Sequence, residues 1–134
     1  MKKLAIIFIA LASAAGCTLY TMEDTLLPRE DISLTWKGDV QVSYESSSCQ
    51  MGFNDARNEY RIYSDMLADW FVLKCSEKPA GMDHVFQADV SWTGDKSTMT
   101  KTGIGFKVVK TDNEGKMWLW NESDKIGIII KDIQ

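Results

Sequence analysis

The stretch Ile32-Ser33-Leu34-Thr35-Trp36-Lys37-Gly38-Asp39-Val40-Gln41-Val42-Ser43-Tyr44 decides the fold class. Ile32, Leu34, Trp36, Val40, Val42 and Tyr44 occupy even positions, while Ser33, Thr35, Lys37, Asp39, Gln41 and Ser43 occupy the odd ones. A helix would scatter these apolar residues round its axis. A strand sends them to one face, so the pattern predicts extended chain with one side in a core and the other in water. Gly38 interrupts the run and marks a bulge, a bend or a turn between two shorter strands.

The same alternation recurs toward the C-terminus. Phe86, Ala88, Val90 and Trp92 share one parity, as do Ile104, Phe106 and Val108. Met117–Trp120 and Ile126–Ile133 are apolar on both parities, and Trp70-Phe71-Val72-Leu73 reads as a central strand for the same reason. Asn54-Asp55, Pro79-Ala80-Gly81, Thr93-Gly94-Asp95-Lys96, Asp112-Asn113-Glu114-Gly115 and Glu122-Ser123-Asp124-Lys125 punctuate the runs as turns. Residues 56–67 read either as a strand leading through 64–69 into the Trp70 strand, the preferred reading, or as a short helix capped by Asp55. The expectation is an all-β fold: a single antiparallel β-sandwich or small β-barrel of about seven strands, largely a meander, spanning 32–134.

Ahead of this domain lies a different kind of sequence. Lys2 and Lys3 precede the uncharged apolar run Leu4–Ala15, which is followed by small residues and a cysteine, Ala14-Ala15-Gly16-Cys17. A basic start, an apolar middle and a small-residue site form the layout of a secretory signal peptide. The twelve apolar residues fall short of the roughly 20 a transmembrane helix needs. Ala14-Ala15-Gly16-Cys17 resembles the lipobox of bacterial lipoproteins, although Ala14 stands where Leu or Val is usual. The resemblance implies a signal peptide over 1–16, acylation of Cys17 as the mature N-terminus, and, with Thr18 rather than Asp after it, an outer-membrane destination. It implies a membrane partner through the N-terminal lipid. The rival is cleavage after Ala12-Ser13-Ala14, which leaves a soluble periplasmic or secreted protein. Residues 17–31, with Pro28 and no period, then read as the lipidated cysteine and a tether.

The whole chain has 134 residues, with 15 basic and 19 acidic side chains and a formal charge of −4. Without Lys2 and Lys3 the balance is 13 against 19, or −6. An acidic, mixed surface argues against nucleic acid, whose phosphates need clustered Lys and Arg, and against electrostatic docking on anionic lipid. The cysteines are Cys17, Cys49 and Cys75. Outside the cytoplasm an even set pairs, so a Cys49–Cys75 disulfide is expected, with Cys17 left for lipid.

No motif for catalysis, metal or cofactor stands out, and the chain reads as a non-enzyme. His84 is the single histidine, so triads or zinc sites built on several histidines are absent. Asp112-Asn113-Glu114-Gly115 has oxygens suited to calcium but lacks the ligand spacing, and a hairpin loop accounts for it. Trp118 and Trp120 share one strand face and form the candidate binding surface for a glycan or a protein; the competing reading buries that face in a core. The functional expectation is a cell-envelope lipoprotein acting as a binding or accessory module. The alternatives are an enzyme inhibitor and, more remotely, a hydrolase with an acidic pair. Val42-Ser43-Tyr44 followed by Cys49, with Trp92-Thr93-Gly94-Asp95 later, resembles small lysozyme-inhibitor lipoproteins, but the spacing departs from that pattern and no residue role carries over.

Overall fold

A computed structural model describes residues 26–29, 31–45, 51–63, 70–94 and 96–131. Its strands are β1 (Ile32–Trp36), β2 (Asp39–Tyr44), β3 (Phe53–Asn54), β4 (Glu59–Tyr63), β5 (Trp70–Cys75), β6 (Val85–Thr93), β7 (Thr98–Thr111), β8 (Lys116–Asn121) and β9 (Ile126–Lys131). All nine belong to one antiparallel sheet in the order β2-β1-β9-β8-β7-β6-β5-β4-β3. The expected seven strands are therefore nine, and the sandwich is instead a single sheet curled into a half-barrel. From β3 to β9 the path is a plain meander. The N-terminal hairpin then attaches to the free side of β9, where Ser33 pairs with Ile129 and Leu34 with Ile128.

The opening stretch folds into that hairpin. Lys37 and Gly38 form its two-residue loop with φ of 54° and 85°, the positive values that the right-handed twist of tight hairpins demands at both positions. A register shift then follows: Leu34 pairs with Val42 but Thr35 with Val40. The extra residue flips the parity of Val40, which alternation had assigned to the core and which is 47% exposed. Residues 59–63 and 70–75 pair as strands, Tyr60 with Leu73 and Ile62 with Phe71, so extended chain replaces the helical alternative there.

Curling places one apolar face inside. Ile32, Leu34, Val42, Tyr60, Phe71, Leu73, Phe86, Trp92, Phe106, Leu119, Ile126 and Ile128 pack in one cluster that runs from edge to edge of the sheet. Trp36 of β1 meets Trp92 of β6 edge to face, with ring centroids 6.0 Å apart. A polar seam fastens the curl. The Trp92 indole N–H donates to Ser97 Oγ at 2.8 Å, and the Ser97 hydroxyl donates to Gln41 Oε1 at 2.6 Å. The β6–β7 turn lies so close to β2 that a Cβ on Gly94 would stand 2.2 Å from the Gln41 carbonyl oxygen.

The cysteine expectation is corrected. Cys75 is a free thiol, 4% exposed on the inner face of β5. Period two sets it beside Leu73 and Phe71, among residues with no polar contact to offer beyond the Leu73 carbonyl at 3.8 Å. Burial pushes its pKa up to about 12, so it is neither a thiolate nucleophile nor an exposed redox group. Cys49 lies outside the described residues, as does Cys17.

Candidate binding surface

The outer face of β8 and β9 is the second apolar region of the molecule. Met117 and Leu119 point into the half-barrel, which sends Trp118 and Trp120 outward, where they cluster with Ile129 and Leu27 and are flanked by Leu26 and Val109. The sequence correctly puts the two tryptophans on one face. That face is covered: Trp118 is 7% exposed and Trp120 4%. The cover is a strap formed by Leu26, Leu27 and Pro28, at the end of the stretch read as tether.

Hydrogen bonds and close packing hold the strap. The Thr35 hydroxyl donates to the Leu26 carbonyl at 3.0 Å, and the Trp118 indole N–H donates to the Pro28 carbonyl at 3.0 Å. Gly127 allows the approach, because a Cβ there would meet Pro28 Cδ at 2.8 Å, Thr35 Oγ1 at 3.0 Å and Leu27 Cδ2 at 3.2 Å. Ser33 and Thr35, which alternation assigns to water, are buried at 5% and 2% on the strand beside β9, and Thr35 is directly under the strap. A groove of about 330 Å³ remains between the strap and the outer face of β1–β2, lined by Arg29, Asp31, Ser43 and Val40 among others.

Cations border the tryptophans. Lys110 Nζ lies 4.6 Å from the Trp118 ring centroid, and Lys125 Nζ 6.0 Å from that of Trp120. Trp120 Nε1 donates to Glu122 Oε1 at 2.9 Å, and Glu122 also pairs with Lys125. Burial opposes ionisation of Glu122, but these two donors outweigh it and hold its pKa below the ordinary value. Trp36 and Trp70 are half-buried and Trp92 fully buried.

Beside the β7–β8 hairpin His84 organises the 76–84 loop. The Ala80 amide donates to His84 Nδ1 at 3.0 Å, so that nitrogen carries a lone pair and the ring proton sits on Nε2, 2.9 Å from Glu77 Oε2. Its backbone N–H donates to the Gly81 carbonyl. A groove of about 460 Å³ separates this loop from the β7–β8 hairpin, between Lys78, Pro79 and Gly81 on one side and Asp112, Lys116 and Met117 on the other. Asp112 Oδ1 accepts the Glu114 and Lys116 amides at 2.9 and 3.0 Å. The hairpin reading thus accounts for its oxygens, and no group of three metal-binding side chains occurs among the described residues. Burial works against the Asp112 charge, yet those amides and the nearby Lys116 and Lys131 bring its pKa down. On β4, Glu59 is 6% exposed and takes a 2.7 Å bond from Arg61 Nε, which lowers its pKa.

Comparison with protein families, with curated proteins and with solved structures gave no match.

Proposed function

We propose that this chain is a lipid-anchored lipoprotein of the bacterial cell envelope, held at the outer membrane through Cys17, and that it works as a non-catalytic binding or accessory module for a protein or glycan. The observation that carries the reading is the run from Lys2-Lys3 through Leu4–Ala15 to Ala14-Ala15-Gly16-Cys17. The strap supports it: with Leu26 to Pro28 seated on the sheet, only eight residues separate Cys17 from the domain. At about 3.3–3.6 Å per residue the leash extends at most about 30 Å, so the domain would be held near the surface with its strap side tied to the anchor. The shifted carboxyls Glu59, Asp112 and Glu122 all move down, opposite to the direction that keeps a general acid protonated.

Labelled palmitate tests the anchor. The wild type incorporates it and Cys17→Ser does not; incorporation into neither overturns the reading.

The loop at 76–84 favours an enzyme inhibitor as the second reading, because His84 pre-shapes a turn that a target's cleft can receive with little ordering cost. Inhibition of lysozyme that is lost in His84→Ala would establish it, and unimpeded lysozyme at saturating protein would remove it.

A further inference from the structure

We propose that His84 is a pH-sensitive latch: the neutral ring holds the 77–82 segment in place, and protonation of the ring releases Ala80 and reshapes the groove that Pro79, Ala80 and Gly81 share with the β7–β8 hairpin. The inference stands on the geometry of the loop and on neither functional reading above. If this loop is what a target's cleft receives, acid regulates that reception.

The hydrogen bonds that shape this segment converge on one residue. The Ala80 amide donates to His84 Nδ1 at 3.0 Å, and His84 Nε2 lies 2.9 Å from Glu77 Oε2. The His84 backbone N–H donates to the Gly81 carbonyl at 3.1 Å. Both ends of the loop are pinned independently of the ring. Ser76 exchanges hydrogen bonds with Gln87, the Asp83 N–H donates to the Val108 carbonyl, and the Val108 N–H donates to the His84 carbonyl. The ring lies on the buried Phe86, with centroids 5.8 Å apart. Gly81, with φ of 129°, is the position at which the backbone between the pins can pivot.

Protonation is incompatible with this arrangement. A neutral imidazole has one donor and one acceptor nitrogen, whereas the imidazolium donates from both. With a proton on Nδ1, two N–H groups would face each other across 3.0 Å with no acceptor between them. Because the His84 backbone is bonded to β7 and its ring is set against Phe86, Ala80 is the group that gives way. Its amide is at the surface, so water takes the place of Nδ1 and the opening leaves no buried donor unsatisfied. Glu77 does not hold the segment closed in acid. Its side chain is 63% exposed, so it can follow the imidazolium as a surface ion pair, which is worth little to the fold.

The other charged groups around the ring are engaged elsewhere. On the loop, Asp83 pairs with Lys107 of β7 at 3.6 Å, and Lys78 lies over the Phe53 ring of β3 at 5.7 Å. Across the groove Asp112 accepts the Glu114 and Lys116 amides, with the Lys116 charge beside it. β6 presents the uncharged Phe86. Glu77 is thus the one ionisable partner of the ring among the described residues. Histidine is the side-chain type that changes charge between about pH 5 and 8, and acid within that range shifts the population toward the open segment.

The test follows amide exchange with solvent by NMR in the isotope-labelled full chain between about pH 8 and pH 5, each rate being referred to that of an unstructured peptide at the same pH. At the alkaline end the His84 proton is expected on Nε2. As the pH is lowered, protection of the Ala80 amide falls about fivefold, the population shift that one neutral hydrogen bond carries, while the Asp83 and Val108 amides keep theirs. In His84→Asn, whose amide oxygen can stand in for Nδ1 but does not titrate, Ala80 protection stays level across the range. In Glu77→Gln the fall persists, because it lies with Ala80 and not with the carboxylate. A ring proton on Nδ1 at the alkaline end, Ala80 protection unchanged through the titration of His84, an equal fall in His84→Asn, or loss of the effect in Glu77→Gln each overturns the proposal.

Discussion

Gly127 is the residue on which the outer face depends. It sits on β9 opposite Thr35 and Trp120, and its missing side chain is the space that Leu27 and Pro28 use. Gly127→Val forces a branched side chain where even a Cβ lies 2.8 Å from Pro28 Cδ. The expected loss is about 1–3 kcal/mol, the usual range for overpacking, read as a lower urea midpoint. Because the added atoms expel the strap, the variant is also expected to expose Trp118 and Trp120 to acrylamide quenching and to speed trypsin cleavage after Arg29, whose side chain is already exposed but whose neighbouring backbone the strap holds. A variant with the wild-type midpoint and quenching would show that the strap does not depend on this contact. Glu59 makes a different residue-scale prediction. The Arg61 hydrogen bond lowers its pKa in the folded state from the ordinary 4.5. A depressed carboxyl adds stability that is fully present above the unfolded pKa and is lost as pH falls through the folded one. Denaturation curves collected downward from neutral pH are therefore expected to show declining stability below about pH 4.5, with a shallower decline in Glu59→Gln.

At the scale of elements, the polar seam between β2 and the β6–β7 turn determines whether the sheet stays curled. Ser97→Ala leaves the Trp92 indole N–H and the Gln41 side chain without the partner they share, on a tryptophan that is 0% exposed. An unsatisfied buried donor costs about 1–3 kcal/mol, so a drop of that size is expected by urea titration, with loss of near-UV signal from Trp92 and Trp36. A change below about 0.5 kcal/mol, the ordinary range for a surface substitution, would show that the curl stands without the seam. The elements themselves were legible where alternation was clean. Phe86 to Trp92 and Ile104 to Val108 announce their strands because each inward side chain is followed by an outward one. What failed at this scale failed for identifiable reasons. Val40 was misplaced because a bulge after Leu34 shifts parity, and a bulge leaves no mark in hydrophobicity. Ser33 and Thr35 looked like solvent positions because the segment that buries them, Leu26 to Pro28, has no period of its own. The pairing of Trp118 and Trp120 on one face could be read from their spacing, but the cover over them could not.

For the whole molecule, the consequential feature is the insertion of the last strand between the first and the eighth. β9 pairs with β1 through Ile128 and Leu34 and with β8 through Ile128 and Leu119, so one central residue joins the two parts of the sheet. Ile126, Ile128 and Ile130 all belong to the inner core. Until β9 is available, the β1–β2 hairpin has no neighbour on that side, and a lone two-stranded hairpin is at best marginal in water. Closure of the half-barrel therefore waits for the C-terminus, and the contacts that complete it join residues almost a whole domain apart. Folding dominated by such long-range pairing runs on millisecond-to-second timescales. A chain ending at Lys125 is accordingly expected to lack cooperative unfolding by urea and to be degraded throughout by dilute protease, where the full chain resists. If that truncated chain kept a sigmoidal transition with the wild-type slope, the sheet would have a folding unit independent of β9. The joining role of Ile128 would then be local packing rather than the step that assembles the domain.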